Sequence, residues 1–266
     1  MDMEAGEPSE RDLYATGDYS FWSRIFEPAS EALVEATRIS VESRVLDVAA
    51  GNGNTALAAV MRGAIVTALD ISAVQIKRGR DRARMLGHSV RWVQGDAEHL
   101  PFDAGVFDRC LNSFGDEIAV EEMFRVVRPG GVVGITDWIV DGFGFDGALT
   151  RLLSSPTPGM ESEQEGSRWG RDAYVRSALD PYADSVDVSH RVIATRFESV
   201  DSFCEEFLEK DPEALVLFEE LTLEQRDRFS AGLRSAVVEW NRANDGGVLL
   251  ELNYLLTVAS KGGAAR

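Results

Sequence analysis

Residues 44–70 read RVLDVAAGNGNTALAAVMRGAIVTALD, and this stretch decides the fold. The run RVLDVAA is short and apolar and ends in Gly-Asn-Gly, which is typical of a buried strand followed by a tight turn. The segment TALAAVMRG then predicts a helix that ends at Gly63, and IVTALD predicts a second apolar strand. A strand, a helix and a strand joined by short links form a β-α-β unit, in which the two strands run parallel.

The alternation of strands and helices continues along the chain. It predicts a helix over 73–86, strands at 89–94 and 106–112, a helix at about 117–128 that stops at Pro129-Gly130-Gly131, and a fifth strand in GVVGITDW. Further on it predicts helices near 145–154 and 171–179, a strand over 186–198, mostly helix over 199–248, and a last strand in VLLELNYLLTVAS. We therefore expect an α/β fold with a seven-stranded, mostly parallel sheet and a helical cap inserted between the last two strands.

The composition excludes several classes of protein. The 266 residues include 45 Asp and Glu against 27 Lys and Arg, a formal charge of −18, so the acidic surface repels phosphate backbones and anionic lipid. We expect no nucleic-acid or membrane partner and a small-molecule substrate. Cys110 and Cys204 form no C-x-x-C pair or Cys/His cluster, which argues against a disulfide framework or a metal site. With a polar N-terminus that lacks an apolar targeting segment, a cytoplasmic location is expected.

The links that follow the first three predicted strands carry the candidate binding residues. Gly51 and Gly53 stand between a strand and a helix, where the absence of side chains lets the backbone approach a ligand. Asp70 ends the next strand, 19 residues after Gly51, a spacing at which a carboxylate accepts hydrogen bonds from both ribose hydroxyls of a nucleoside. Asp96 follows the third strand, where it could accept from an adenine amino group while the Ala97 amide donates to a ring nitrogen.

Two kinds of cofactor fit these glycines, because Gly51-x-Gly53-x-x-Ala56 with Asp70 also satisfies the fingerprint of NAD-binding proteins. Asp47 favours the other kind: it would lie near a pyrophosphate, where it repels an anion but attracts an ammonium or sulfonium cation. No Tyr is followed four residues later by Lys, the pair that serves short-chain dehydrogenases. The residues therefore favour a cationic nucleoside cofactor over NAD.

Five segments occur in a characteristic order: VLDVAAGNGNTAL, ALDIS, GDAEHLPF, FDRCLNSFG and FRVVRPGG. Together they resemble the class I S-adenosylmethionine-dependent methyltransferases, especially the small-molecule branch near the ubiquinone and menaquinone biosynthesis enzymes. The resemblance implies a Rossmann-like sheet and S-adenosyl-L-methionine as the cofactor. It also implies an N-terminal helical segment over 1–43 that closes over the cofactor, a cofactor-binding core over 44–138, and a substrate-binding half over 139–266 with the helical cap and the last two strands.

The resemblance implies roles for individual residues at the methionine end of the cofactor. Asp47, Ala49, Gly51 and Gly53 would surround the methionine moiety, and Asn112 would lie under its amino group.

Other roles concern the nucleoside end. Asp70 would bind the ribose, Ile71 would lie against the adenine face, and Asp96 and Ala97 would contact the adenine edge. Tyr19, in the GDY at 17–19, belongs to the segment that closes over the cofactor in similar proteins.

Methyl transfer from a sulfonium is an in-line displacement, which depends mainly on aligning donor and acceptor in a dry pocket. A general base is needed only when the acceptor must lose a proton of high pKa. The candidate bases are His190 in a late strand and Asp116 and Glu117 after the fourth strand, although acids at the start of a helix more often stabilise its dipole.

We expect methylation of a small organic acceptor, a specialised metabolite or a quinone-like molecule, at oxygen, carbon or nitrogen. One alternative is an NAD-dependent oxidoreductase. The other is a protein of this fold that retains the cofactor but catalyses a cyclisation or binds a partner. The sequence leaves the acceptor and the oligomeric state open.

Overall fold

A computed structural model of the chain describes residues 20–115, 119–139, 144–154 and 168–263. The elements are, in chain order, α1 (Ser20–Ala36), β1 (Arg44–Val48), α2 (Asn54–Met61), β2 (Ile65–Asp70), α3 (Ala73–Met85), β3 (Arg91–Gln94), β4 (Phe107–Ser113), α4 (Val120–Val126), β5 (Val127–Trp138), α5 (Gly144–Ser154), α6 (Asp172–Leu179), β6 (Ser185–Phe197), α7 (Val200–Lys210), α8 (Pro212–Glu220), α9 (Leu223–Trp240) and β7 (Val248–Ser260). A 3₁₀ turn, Arg168–Gly170, precedes α6.

The seven strands form one sheet in the order β3-β2-β1-β4-β5-β7-β6. The pairs among β1 to β5 are parallel, and β7 runs antiparallel to both of its neighbours, β5 and β6. The expected seven-stranded, mostly parallel sheet is therefore confirmed. The strand order reverses between β1 and β4, and in such sheets a crevice opens at the carboxyl ends of the strands at this point.

Both faces of the sheet are covered, as the apolar runs in the sequence predict. Val45, Leu46 and Val48 of β1 are each at most 1% exposed. Val45 packs into the core cluster that contains the apolar residues of α1 and α2, whereas Leu46 and Val48 pack into the opposite cluster, which contains those of α4. Asp47 lies between Leu46 and Val48 in this strand, which is buried on both faces.

The structure corrects one boundary, because the helix predicted at about 117–128 is only α4, Val120–Val126. β5 begins at Val127 and contains Pro129 and Gly130, which were expected to end a helix. Phe107 pairs with Val127, and the strand register shifts between Phe107 and Arg109. Proline lacks a ladder donor and is tolerated in strands at such irregular places, so this segment starts a strand that lies beside β4.

The prediction of mostly helix over 199–248 is confirmed, and the structure divides this stretch into three helices, α7, α8 and α9, followed by a link. Asp211 caps α8 by accepting from the Ala214 amide at 2.7 Å, and Pro212 occupies the first turn. Thr222 caps α9 in a capping box with Gln225. Each break is thus marked by residues that begin a new helix.

These three helices, the expected cap, pack on the face of the sheet that also carries α1. Phe203 and Phe207 of α7 contact the ring of Phe21 in α1, with centroids 6.0 and 6.2 Å apart. Phe229 and Leu233 of α9 join the same cluster. The inserted helices therefore support α1 from behind. None of the described helices has the length and apolar character needed to cross a membrane.

Candidate cofactor site

A cavity of about 300 Å³ lies at the carboxyl ends of the strands where the strand order reverses. Five segments line it: the side of α1 that carries Trp22, the loop after β1, the end of β2 with the start of α3, residues 95–98 after β3, and residues 113–115 after β4. Both its size and its place are typical of small-molecule sites in open α/β sheets.

The loop after β1 reaches the cavity at Gly51. This residue has φ +53°, and a Cβ added to it would meet no atom within 4 Å. Its amide donates to Oδ2 of Asp70 at 2.7 Å, which ties the loop to the end of β2. Ala49, also in the cavity wall, has φ +52° without being a glycine. Ala49 and Gly51 thus form part of the cavity wall, and the predicted contact of this loop with a ligand stays a prediction.

A glycine is needed at position 53 because of packing. A Cβ there would lie 2.5 Å from Cη2 of Trp92, and one on Gly79 of α3 would lie 2.2 Å from the same atom. The indole of Trp92 fills the space between the loop and α3, and Gly53 is not among the residues that line the cavity. Packing against Trp92 thus accounts for Gly53, and its contact with a methionine moiety stays a prediction. The partnership with Trp92 and Gly79 was missed, because only the fold brings these segments together.

Asp47 is the most deeply buried acid of the site, at 1% exposure, yet it lines the cavity. Its Oδ2 accepts from the Ala56 amide at 2.8 Å. The pKa of Asp47 is raised to about 8, mainly by burial and also by the nearby Asp70, while the hydrogen bond from Ala56 opposes the shift. A cation in the cavity would favour the charged form of this carboxyl. The site therefore suits a ligand with a positive charge at this end.

Asp70 is also buried, and both of its oxygens accept from backbone amides. Oδ2 accepts from Gly51 at 2.7 Å and Oδ1 from Ser72 at 2.8 Å. Burial raises its pKa, and backbone hydrogen bonds from Ser72, Gly51 and Ile71 oppose the shift. A carboxylate has about four acceptor positions, so at least one remains for a hydroxyl group of a ligand. Ile71 lines the cavity beside it.

Asp96 and Ala97 line the cavity after β3, and their contact with an adenine stays a prediction. Oδ1 of Asp96 accepts from the amide of Glu98 at 2.9 Å, and Glu98 is a further lining acid. Ligand atoms of Asp96, Glu98 and His99 lie within 4.8 Å of one another, a grouping that the sequence did not suggest and that exposed acidic groups often show without an ion.

Asn112 lies behind the cavity rather than in its wall. Its side chain is fully buried; Nδ2 donates to the Val48 carbonyl at 3.4 Å, and Oδ1 accepts from the Gly115 amide at 3.2 Å. Asn112 thus ties the ends of β1 and β4, and Ser113, Phe114 and Gly115 line the cavity instead. This placement gives no support to the side-chain contact with a methionine amino group that was predicted for Asn112.

The structure separates His190 from the site. His190 is exposed on the edge strand β6, where it pairs with Leu255, and two strands lie between β6 and β4. The other candidate bases, Asp116 and Glu117, and the predicted closing residue Tyr19 lie outside the described residues. No described residue after Gly115 lines the cavity, so the substrate-binding role of 139–266 stays a prediction.

An aromatic wall, formed by Trp22, Phe26 and Phe114, is the main feature that the sequence did not reveal. The rings of Phe26 and Phe114 have centroids 4.8 Å apart, and Trp22 stacks on Phe26 at 5.2 Å. Trp138 stacks on Phe114 from behind at 4.2 Å. Only the apolar periodicity of α1 hinted at this wall, and it did not distinguish cavity residues from core residues.

The charges of the cavity have one sign. Its titratable lining residues in the described part of the chain are the acids Asp47, Asp70, Asp96 and Glu98, without a Lys, Arg or His. This cavity is therefore unfavourable for a pyrophosphate and favourable for a cation.

Comparisons with known proteins agree with this geometry. Residues 45–131 match a family model described as a methyltransferase domain. An uncharacterised protein of Mycobacterium tuberculosis is 33% identical over 179 residues, which are 64% of this chain and 65% of that relative, so the chain spans about two thirds of its length. The demethylmenaquinone methyltransferase of Mycolicibacterium gilvum is 31% identical over 197 residues, which are 71% of this chain and 79% of that enzyme.

Among solved structures, phosphoethanolamine N-methyltransferase 2 of Haemonchus contortus, determined with S-adenosylhomocysteine, matches with a TM-score of 0.58. The identity is 18%, and the match covers 96% of this chain and 60% of that one. At this identity the likeness shows the fold alone.

The reversed strand order, the glycine turn at Gly51 and the acids at successive strand ends define a nucleoside-binding α/β protein. The chain belongs to the class I S-adenosylmethionine-dependent methyltransferases, the family of its demethylmenaquinone methyltransferase relative, and S-adenosylmethionine is the cofactor. The residues fit this cofactor, because a buried carboxyl with a raised pKa faces a cavity whose described lining residues include no basic group. The family sets aside the NAD-dependent alternative.

Proposed function

We propose that this protein transfers a methyl group to a small organic acceptor, a specialised metabolite or a quinone-like molecule, by in-line displacement. The observation that carries the proposal is the joining, in one cavity, of acids at three strand ends with the aromatic wall of Trp22, Phe26 and Phe114. The similarity to a demethylmenaquinone methyltransferase supports an acceptor of the quinone type. Two buried free cysteines suit the reducing cytoplasm, which we propose as the location.

At the cofactor end, the chain supplies positioning and charge. Asp47 and the backbone around Gly51 would hold the methionine moiety, Asp70 the ribose, and Asp96 and Ala97 the adenine. S-adenosylmethionine supplies an electrophilic methyl group when it is bound. The protein's contribution is to hold the reacting groups in line, which is worth roughly 7–11 kcal/mol in favourable cases.

At the acceptor end, the aromatic wall supplies a flat apolar surface that excludes water and can stack on a planar ring. The described lining residues offer no basic group to pair with a carboxylate or phosphate of an acceptor. The lining acids would repel such a group. We therefore propose an uncharged acceptor with an aromatic or quinol ring.

The test compares two acceptors that differ in one charge. A reduced, demethylated naphthoquinone would be offered beside its carboxylated analogue, with S-adenosylhomocysteine formation and the mass of the product measured together. We expect one methyl group added to the neutral acceptor, and a kcat/KM for the charged analogue lower by about tenfold or more.

Consumption of the acceptor without S-adenosylhomocysteine formation would favour the non-methylating cyclase instead. Equal rates for the two acceptors would contradict the preference for an uncharged ring.

A further inference from the structure

Arg82 of α3 stands at the centre of a polar network beside the cavity. Its Nη1 donates to the backbone oxygen of Asn52 at 3.0 Å, to Oδ1 of Asn52 at 2.7 Å and to Oδ1 of Asn54 at 2.9 Å. Asn52, in the loop after β1, and Asn54, the first residue of α2, flank Gly53. One guanidinium nitrogen thus holds both asparagine side chains.

The same two asparagines contact α1. Nδ2 of Asn54 donates to the carbonyl oxygen of Ser23 at 2.7 Å, and Nδ2 of Asn52 donates to Oγ of Ser23. Because Arg82 occupies the oxygen of each amide, the NH₂ group of each amide must face α1. Arg82 therefore sets the orientation in which the loop binds the helix.

Charge and burial agree with this arrangement. Burial lowers the pKa of Arg82, and the carboxylate of Glu27, also on α1, opposes that shift. Ser23, Asn52 and Asn54 line the cavity, whereas Arg82 does not. Any effect of Arg82 on the cavity must therefore pass through the loop and α1.

The two parts that Arg82 connects serve different ends of the site. The loop includes Gly51, at the proposed methionine end, and α1 carries Trp22 and Phe26 of the aromatic wall. A cofactor that holds the loop in one conformation would thereby hold the asparagines, and through them α1. This connection depends on one atom, because Nη1 of Arg82 makes three of its hydrogen bonds.

We propose that Arg82 is a positioning residue that couples occupation of the cofactor end to the position of α1. Binding at Gly51 then brings the aromatic wall into place for the acceptor. Without Arg82 the asparagine amides lose their fixed orientation, and the loop and α1 respond to the cofactor separately.

The test is hydrogen–deuterium exchange of the full chain with and without S-adenosylhomocysteine, which needs no acceptor and no turnover. The main variant is Arg82→Met, which keeps an unbranched apolar side chain on the helix and removes the guanidinium donors. Arg82→Lys is the conservative variant, because an ammonium can replace a single nitrogen that makes three hydrogen bonds. Arg84→Met is the matched control on the same helix, since the side chain of Arg84 is 78% exposed and pairs with Asp81.

In the wild type and in Arg84→Met, we expect S-adenosylhomocysteine to slow amide exchange both in 49–54 and in 20–30. The expected slowing is about fivefold or more, which corresponds to a typical coupling free energy between two sites. In Arg82→Met the slowing should persist in 49–54 and be lost in 20–30. Arg82→Lys should recover part of the slowing in 20–30.

A second variant approaches the network from the loop. Asn54→Asp keeps an acceptor for Arg82 but removes the donor to Ser23, so it should also lose the slowing in 20–30. If 20–30 is slowed in Arg82→Met and Asn54→Asp as strongly as in the wild type, the coupling does not run through Arg82. Loss of the slowing in 49–54 as well would make Arg82 part of the binding site and would likewise overturn the proposal.

Discussion

Nε1 of Trp22 donates to Oδ2 of Asp211 at 2.7 Å, which joins the aromatic wall to the junction of α7 and α8. Asp211 is 3% exposed and also accepts from the Ala214 amide as the cap of α8. Burial raises its pKa, and the hydrogen bonds from Ala214, Trp22 and Glu213 oppose this. The inserted helices thus influence the cavity by holding Trp22, although none of their described residues lines it.

Replacing Asp211 by Ala should lower the free energy of unfolding by about 2–4 kcal/mol, because a helix cap is lost and the indole donor of Trp22 is left without a partner. Urea unfolding measures this change. Glu205→Ala, an exposed position on α7, is the control and should stay within about 0.5 kcal/mol of the wild type. Equal effects of the two substitutions would show that the contact contributes nothing to stability.

The raised pKa of Asp47 predicts a pH dependence of stability. In the folded protein Asp47 keeps its proton up to about pH 8, whereas in the unfolded chain it loses the proton in the ordinary acidic range. The folded state therefore binds the extra proton in this window, and the free energy of unfolding falls as the pH rises towards 8.

Asp47→Asn should flatten this fall, since Asn can still accept from Ala56 but does not titrate. The measurement is the difference between the wild-type and variant unfolding free energies at pH 5.5 and pH 8. A difference that does not change with pH would contradict the raised pKa.

Binding of a cation in the cavity should cause Asp47 to lose its proton. At pH 7 we expect S-adenosylhomocysteine, through its ammonium group, to release up to about one proton per site, because the positive charge lowers the pKa of the carboxyl. Calorimetry in buffers with different ionisation enthalpies measures this number. Asp47→Asn should abolish the release, and Asp103→Asn, at an exposed position, should leave it unchanged. An unchanged release in Asp47→Asn would place the methionine end elsewhere.

The packing of Trp92 can be tested at Gly79. Gly79→Ala should destabilise the protein by about 1–3 kcal/mol, because the new methyl overlaps the indole more strongly than the gain in helix propensity can offset. In a Trp92→Leu background the same substitution should be neutral or stabilising. Unfolding free energies of the four proteins form a double-mutant cycle, and additive effects would exclude the contact.

The order and type of the elements were predictable because they depend on local periodicity. The positions of Gly51, Asp70 and Asp96 followed for the same reason, since the carboxyl ends of parallel strands meet at one edge. His190 was misplaced because nothing in its own strand indicates that β7, the last strand in the chain, lies between β5 and β6. Such an assignment needs a long-range pairing that sequence periodicity does not encode.

The aromatic wall escaped prediction for a related reason. Phe26 and Phe114 are 88 positions apart in the sequence, and their contact depends on how α1 crosses the end of β4. Similarly, Pro129 and Gly130 have the composition of a helix stop, but pairing with β4 recruits their neighbours into a strand. In both places the observed structure depends on contacts between segments that are distant in the sequence, which local sequence patterns do not predict.

The insertion of β7 between β5 and β6 has a consequence for biosynthesis. β6 pairs along its whole length with β7, and β7 in turn pairs with β5, so β6 has no partner in the described sheet until 248–260 have been made. While the chain emerges from the ribosome, β1 to β5 can assemble first, whereas β6 can pair only after the final strand has been made. A nascent chain stalled before residue 248 would therefore leave the backbone groups of β6 and of one edge of β5 unpaired, and such strand edges favour aggregation or binding by chaperones.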